Sequence, residues 1–68
     1  MTGLFRVHYF DAKRGYSNME AFSVLASNAE EAIKKADGLK TMAYYRVEAV
    51  ELIGWSDYAM RDAPKVTP

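Results

Sequence analysis

From Leu4 to Asp11 the chain alternates, with Phe5, Val7 and Tyr9 in one row and Arg6, His8 and Phe10 in the other. Period-two alternation marks a strand with one buried face, because successive side chains leave a pleated backbone on opposite sides. Tyr16 to Ala26 repeats the pattern, setting Phe22, Val24 and Ala26 against Ala21, Ser23 and Leu25. Between them, Ala12-Lys13-Arg14-Gly15 predicts a four-residue hairpin turn closed by Gly15 at positive φ, a region glycine enters without steric cost. Loop length sets hairpin register. With Asp11 and Tyr16 closing the turn, Phe5 should face Phe22, Val7 face Glu20, His8 face Met19, and Arg6 face Ala21. A three-residue loop would put Arg6 against Phe22 and His8 against Glu20, mixing the apolar and polar rows.

The period changes at Ser27. Asn28 reads as a helix N-cap with Glu31 three residues on, a capping-box spacing, and Gly38 as the left-handed residue just past the helix end, with Leu39 packing back on the last turn. At about 100° per residue, Ala29, Ala32, Ile33 and Ala36 share one stripe, while Glu30, Glu31, Lys34 and Lys35 share the other. An alanine stripe lets a helix lie close to a sheet. After a link at Lys40 to Ala43, Tyr44 to Ile53 predicts a third strand with Tyr45, Val47 and Ala49 inward. Its phase then slips, as a bulge near Ala49 and Val50 would explain. Ser56 and Asp57 could cap one more helical turn through Arg61, and residues 63–68 read as a frayed tail. The expected organisation is a ββαβ domain over residues 1–55 and a partly flexible C-terminal extension over 56–68.

The fold class is therefore α+β. Placing the third strand beside the first gives a three-stranded antiparallel sheet in the order 2-1-3, with one short helix on one face. The other face should carry Arg6, His8, Phe10, Met19, Ala21, Ser23, Leu25, Arg46, Glu48 and, at its margin, Val50. Such a face is too apolar for solvent alone, which marks it as an interface. Trp55 is expected to fill the core, with Tyr44, Tyr45 and Tyr58 supplying the apolar area that alanines cannot.

Composition narrows the chemistry. Without cysteine, and with His8 as the sole histidine, the chain offers neither disulfides nor the usual zinc ligand sets. Lys and Arg total 9 and Asp and Glu total 9, so no net field draws the protein to nucleic acid or anionic lipid. The segment MTGLFRVHYF has an arginine within its apolar stretch, unlike a signal peptide, and no run reaches the ~18 apolar residues of a membrane span. A cytoplasmic protein without membrane association is expected.

His8 lacks a second histidine and a nucleophile, and its nearest expected carboxylate, Glu48, reads as a cross-strand polar contact. No phosphate-binding glycine loop, nucleophile elbow or paired-carboxylate spacing occurs. Catalysis, cofactors and metals are therefore not expected. Lys34 and Lys35 each follow a glutamate by four residues, the spacing of a self-neutralised helix face. Lys13 and Arg14 at the hairpin tip have only Asp11 near them and form the freer basic spot.

The run Phe22-Ser-Val24-Leu-Ala26-Ser-Asn28-Ala-Glu30-Glu31-Ala32-Ile-Lys-Lys-Ala36 resembles a strand-into-helix signature of small phage- and plasmid-borne ββαβ domains, among them anti-CRISPR proteins. The likeness covers about residues 4–53. It implies a non-enzymatic domain that docks on a larger nucleoprotein machine and occludes a nucleic-acid path, with Lys34 and Lys35 at the positions where such proteins dock.

The reading is thus a small protein-binding module whose contact residues are Arg6, His8, Phe10, Lys13, Arg14, Met19 and Arg46. Two alternatives stand beside it. One is a single-stranded nucleic-acid binder using Phe10, Arg6, His8 and Arg46; the other is a homodimer whose open faces pack together.

Overall fold

A computed structural model describes residues 1–55 of the chain. The expectations for Ser56 to Arg61, Tyr58 and the tail lie outside these residues. Strands β1 (Gly3–Asp11) and β2 (Tyr16–Ala26), helix α1 (Ala29–Asp37) and strand β3 (Tyr45–Trp55) follow in that order. The sheet is antiparallel throughout and runs β2-β1-β3, with α1 carrying the chain across from one edge to the other. The core is the helix-facing row of β1, Phe5, Val7 and Tyr9, closed by Ala26, Ala32, Ala36 and Tyr45.

The turn has the expected length. Asp11 faces Tyr16, the Gly15 amide donates to the Asp11 carbonyl at 2.6 Å, and Gly15 sits at φ 80°. The register beyond it differs from the expected one. Tyr9 faces Glu20, so between there and the turn β1 advances two residues while β2 advances four. The surplus is a bulge around Asn18, whose φ of 54° is a left-handed conformation that asparagine tolerates better than most residues. Phe5 therefore faces Val24, Val7 faces Phe22, His8 faces Ala21 and Arg6 faces Ser23. A slip of two residues preserves each side chain's face. The rows stay as expected although every predicted partner beyond the Asp11–Tyr16 pair has changed.

The Asn28 side chain accepts from the Glu31 amide at 2.8 Å, while Glu31 Oε1 accepts from the Ser27 amide at 2.5 Å, one residue ahead of the cap. That amide is the first cause of the lowered Glu31 pKa, since it stabilises the carboxylate. At the other end Gly38 is right-handed (φ −74°), contrary to expectation. The helix stops instead on tight bonds from the Gly38 amide to the Lys35 carbonyl at 3.3 Å and from the Leu39 amide to the Ala36 carbonyl at 2.8 Å. Leu39 stays exposed rather than packing back.

β3 carries two bulges. Val47 faces Tyr9 and Ala49 faces His8, leaving Glu48 as an extra residue; Leu52 faces Phe5 and Gly54 faces Leu4, leaving Ile53 as another. The first slip comes earlier than the sequence pattern places it. Val50 consequently packs toward the core opposite Val7, and Ala49 points to the open side. Trp55 is not a core plug: it is 43% exposed and meets Phe5 edge to face with ring centroids 6.5 Å apart. It also closes on Gly3, where a Cβ would lie 3.1 Å from Trp55 Cε3 and 3.0 Å from Leu52 Cδ1.

Under the helix, Tyr9 Oη donates to Asp37 Oδ1 at 2.6 Å. Burial, and then this carboxylate, raise the phenol well above its ordinary 10.0. Between that value and the higher folded one the native state holds more protons than the unfolded chain, so this contribution is complete below pH 10 and lost as pH rises. Urea midpoints should therefore hold up to about pH 10 and fall beyond it. Tyr9→Phe should cost about 1 kcal/mol at pH 7 and flatten the alkaline fall. An unchanged alkaline slope in this variant would assign the effect elsewhere, with Tyr45, also raised by burial, next in line.

Candidate docking face

α1 packs chiefly on β2, less on β1 and least on β3, and the sheet surface opposite it is uncovered among the described residues. Along the middle of that surface β1 projects Leu4, Arg6, His8 and Phe10, flanked mostly by small side chains. Leu4 stands between Leu25 and Gly54, Arg6 between Ser23 and Glu51, His8 between Ala21 and Ala49, and Phe10 beside Arg46. With two alanines beside His8, and a serine or glycine on one side of Arg6 and Leu4, the β1 row forms a ridge. Its ends are apolar, and its middle carries the charge.

The central groups are held by side chains on the flanking strands. His8 Nε2 lies 3.0 Å from Glu51 Oε1, an ion pair when the ring is protonated and a hydrogen bond when it is neutral. Arg6 Nε donates to Ser23 Oγ at 3.3 Å, and Glu51 is its partner on β3. The carboxylate beside His8 is therefore Glu51, not Glu48, because the bulge at Glu48 shifts the phase of everything after it. Glu48 Oε1 instead accepts from the Asn18 amide at 3.1 Å, spanning β1 from one edge strand to the other. Glu51 does not stand out in the sequence and Glu48 stands out there for a role it does not take, since each role follows from a bulge.

Of the seven predicted contact residues, Arg6, His8, Phe10 and Arg46 lie together in register on this face. Arg46 is partly committed, its Nη1 donating to the Ala43 carbonyl at 2.5 Å and the Tyr45 carbonyl at 3.2 Å. Met19 is exposed beside the Asn18 bulge, no longer opposite His8. The hairpin tip is less free than expected. Lys13 Nζ sits 5.4 Å from the centroid of Tyr44, a ring packed against the core, and Arg14 Nε is 3.8 Å from Asp11 Oδ2. On the helix, the expected Glu30–Lys34 and Glu31–Lys35 pairs do not close; Lys35 Nζ donates to the Leu25 carbonyl at 2.6 Å.

No family model, curated protein or solved structure matches the chain. The functional reading therefore starts from geometry.

Two further features bear on it. A depression of about 410 Å³ at the start of α1, lined by Ser27, Asn28, Glu30, Glu31 and Lys34, lies apart from the ridge. Among the described residues no three His, Asp or Glu side chains gather as metal ligands would, and no helix is long and apolar enough to cross a membrane.

Proposed function

We propose that the protein is a non-catalytic binding module that docks on another protein through the uncovered sheet face. The observation that carries this reading is the ridge itself: apolar Leu4 and Phe10 at its ends, with Arg6 bonded to Ser23 and His8 to Glu51 between them. Apolar ends with mixed charges suit a folded protein surface, where apolar contact supplies affinity and polar groups fix register. Phe10 is the only aromatic of the ridge, whereas platforms for single-stranded nucleic acid stack successive bases on several rings. Phe10 beside Arg46 remains the feature that favours the nucleic-acid reading. The strand-into-helix resemblance suggests that the partner belongs to a larger nucleoprotein assembly, and the lack of cysteine suits the cytoplasm.

The experiment pairs the wild type with Arg6→Ala combined with Phe10→Ser, both folded by circular dichroism. Wild-type bait should retain a specific partner from host extract, and the double variant should lose at least about tenfold of that binding. Labelled oligonucleotides should show flat anisotropy. Micromolar binding to them that collapses between about 50 and 200 mM salt would replace the protein-docking reading with the nucleic-acid one.

A further inference from the structure

The two edges of the sheet are built differently. β3 is broken at Glu48 and Ile53 and carries Arg46, Glu48 and Glu51. β2 is irregular only near the hairpin; from Glu20 to Ala26 its 7 residues pair with β1 without a break, and Glu20 is the sole charge among them. Bulges, charges and prolines are the devices by which edge strands avoid strand addition. The run Glu20-Ala-Phe-Ser-Val-Leu-Ala26 has no bulge, no proline and one charge.

We propose that this edge of β2 is a pairing surface for a second copy of the chain, joined antiparallel about a two-fold axis at Ser23. Facing residues of an antiparallel pair share a face, so such an axis must pass through a residue position and not between two. Ser23 is the midpoint of the regular run, and only there do all of its residues find partners within it. A centre at Phe22 would run Ala26 against the Asn18 bulge, and one at Val24 would run Glu20 past the strand end to Asn28. With the axis at Ser23, Phe22 meets Val24 on the helix side and Ala21 meets Leu25 on the open side, with no like charges opposed.

Charge completes the fit. Lys35 Nζ is held at the Leu25 carbonyl, one residue from Ala26, and Ala26 would face Glu20 of the second copy. Glu20 accepts from the Thr41 amide and hydroxyl, and no ion pair neutralises it among the described residues. Each seam thus sets a lysine near an unneutralised carboxylate at both ends. The axis stands perpendicular to the sheet, so the two ridges share one side of a six-stranded sheet. Pairing does not depend on the docking reading, and open faces packed together would oppose the two sheets instead of extending one.

Sedimentation equilibrium of the full chain over a rising concentration series tests the pairing. Wild-type apparent mass should climb from the 7.7 kDa of one chain toward that of two. Ala21→Lys with Leu25→Lys sets like charges face to face at both ends of the seam and should weaken association by about tenfold. Ala21→Lys with Leu25→Glu sets opposite charges there and should restore it; both positions are exposed, so the monomer fold is retained. In hydrogen exchange, alternate amides of Glu20–Ala26 should slow as concentration rises. A wild type that stays monomeric, two variants that associate equally, or slowing confined to β3 would each overturn the proposal.

Discussion

Phe5→Ala is expected to leave the domain largely unfolded at 25 °C. Phe5 is buried at one end of the core row, faces Val24 on one side and Leu52 on the other, and closes edge to face on Trp55. Truncating a buried phenylalanine costs about 3–5 kcal/mol, because the lost transfer energy is joined by a cavity that the surroundings only partly refill. A single core in a chain this short supplies about 3–5 kcal/mol in all. The two figures meet. Far-UV circular dichroism with urea titration should show loss of the cooperative transition, and the emission of Trp55, the sole tryptophan, should shift to that of exposed indole. Phe10→Ala, on the open face, should cost less than about 1.5 kcal/mol and keep the transition. A Phe5→Ala protein that unfolds cooperatively near the wild-type midpoint would show that the core row does not depend on this ring.

The second large effect is at Asp11. The residue is 1% exposed, and its Oδ1 accepts from both the Lys13 and Arg14 amides at 2.9 Å, which fixes the turn that aligns β1 with β2. Asp11→Ala should cost about 2–3 kcal/mol, since two amides lose their acceptor at once. Asp11→Asn keeps that oxygen. Its amide nitrogen replaces Oδ2, which has no hydrogen-bond partner among the described residues and only a distant Arg14 at 3.8 Å. The asparagine variant should therefore lie within about 1 kcal/mol of wild type in urea denaturation at pH 7. Equal damage from both substitutions would instead assign the role to the carboxylate charge.

Both expectations rest on features with unequal traces in the sequence. Phe5 is legible as core from alternation alone, because a strand with one covered face must write its apolar residues two apart. Asp11 is legible as a turn-closing residue, yet its burial is not: the strand residue that faces it from β3 is Tyr45, and the neighbouring Ala12 amide donates to the Tyr44 carbonyl, both distant in the chain. Asn28, Glu31 and the alanine stripe announced the helix, since capping and amphipathicity are local. Gly38 misled because a glycine permits a left-handed cap without requiring one, and here the chain stops on tight right-handed turns.

The candidate site divides the same way. Arg6, His8 and Phe10 could be assigned to one face by parity, and the slip of two at Asn18 left that assignment intact. Glu51 could not be found, because a bulge of one residue reverses parity for all that follows it and nothing in Val47-Glu48-Ala49-Val50 says which residue is the surplus one.

The sequence by itself determined the ββαβ order, the helix cap, the turn and the two faces of β1 and β2. Each is written in spacings of a few residues and obeys local sterics and periodicity. Only the tertiary structure decided which residues face one another, where β3 changes phase, how far α1 reaches across the sheet, and that Glu51 holds His8. Those outcomes balance backbone pairing against packing between segments distant in the chain, and no local pattern encodes that balance.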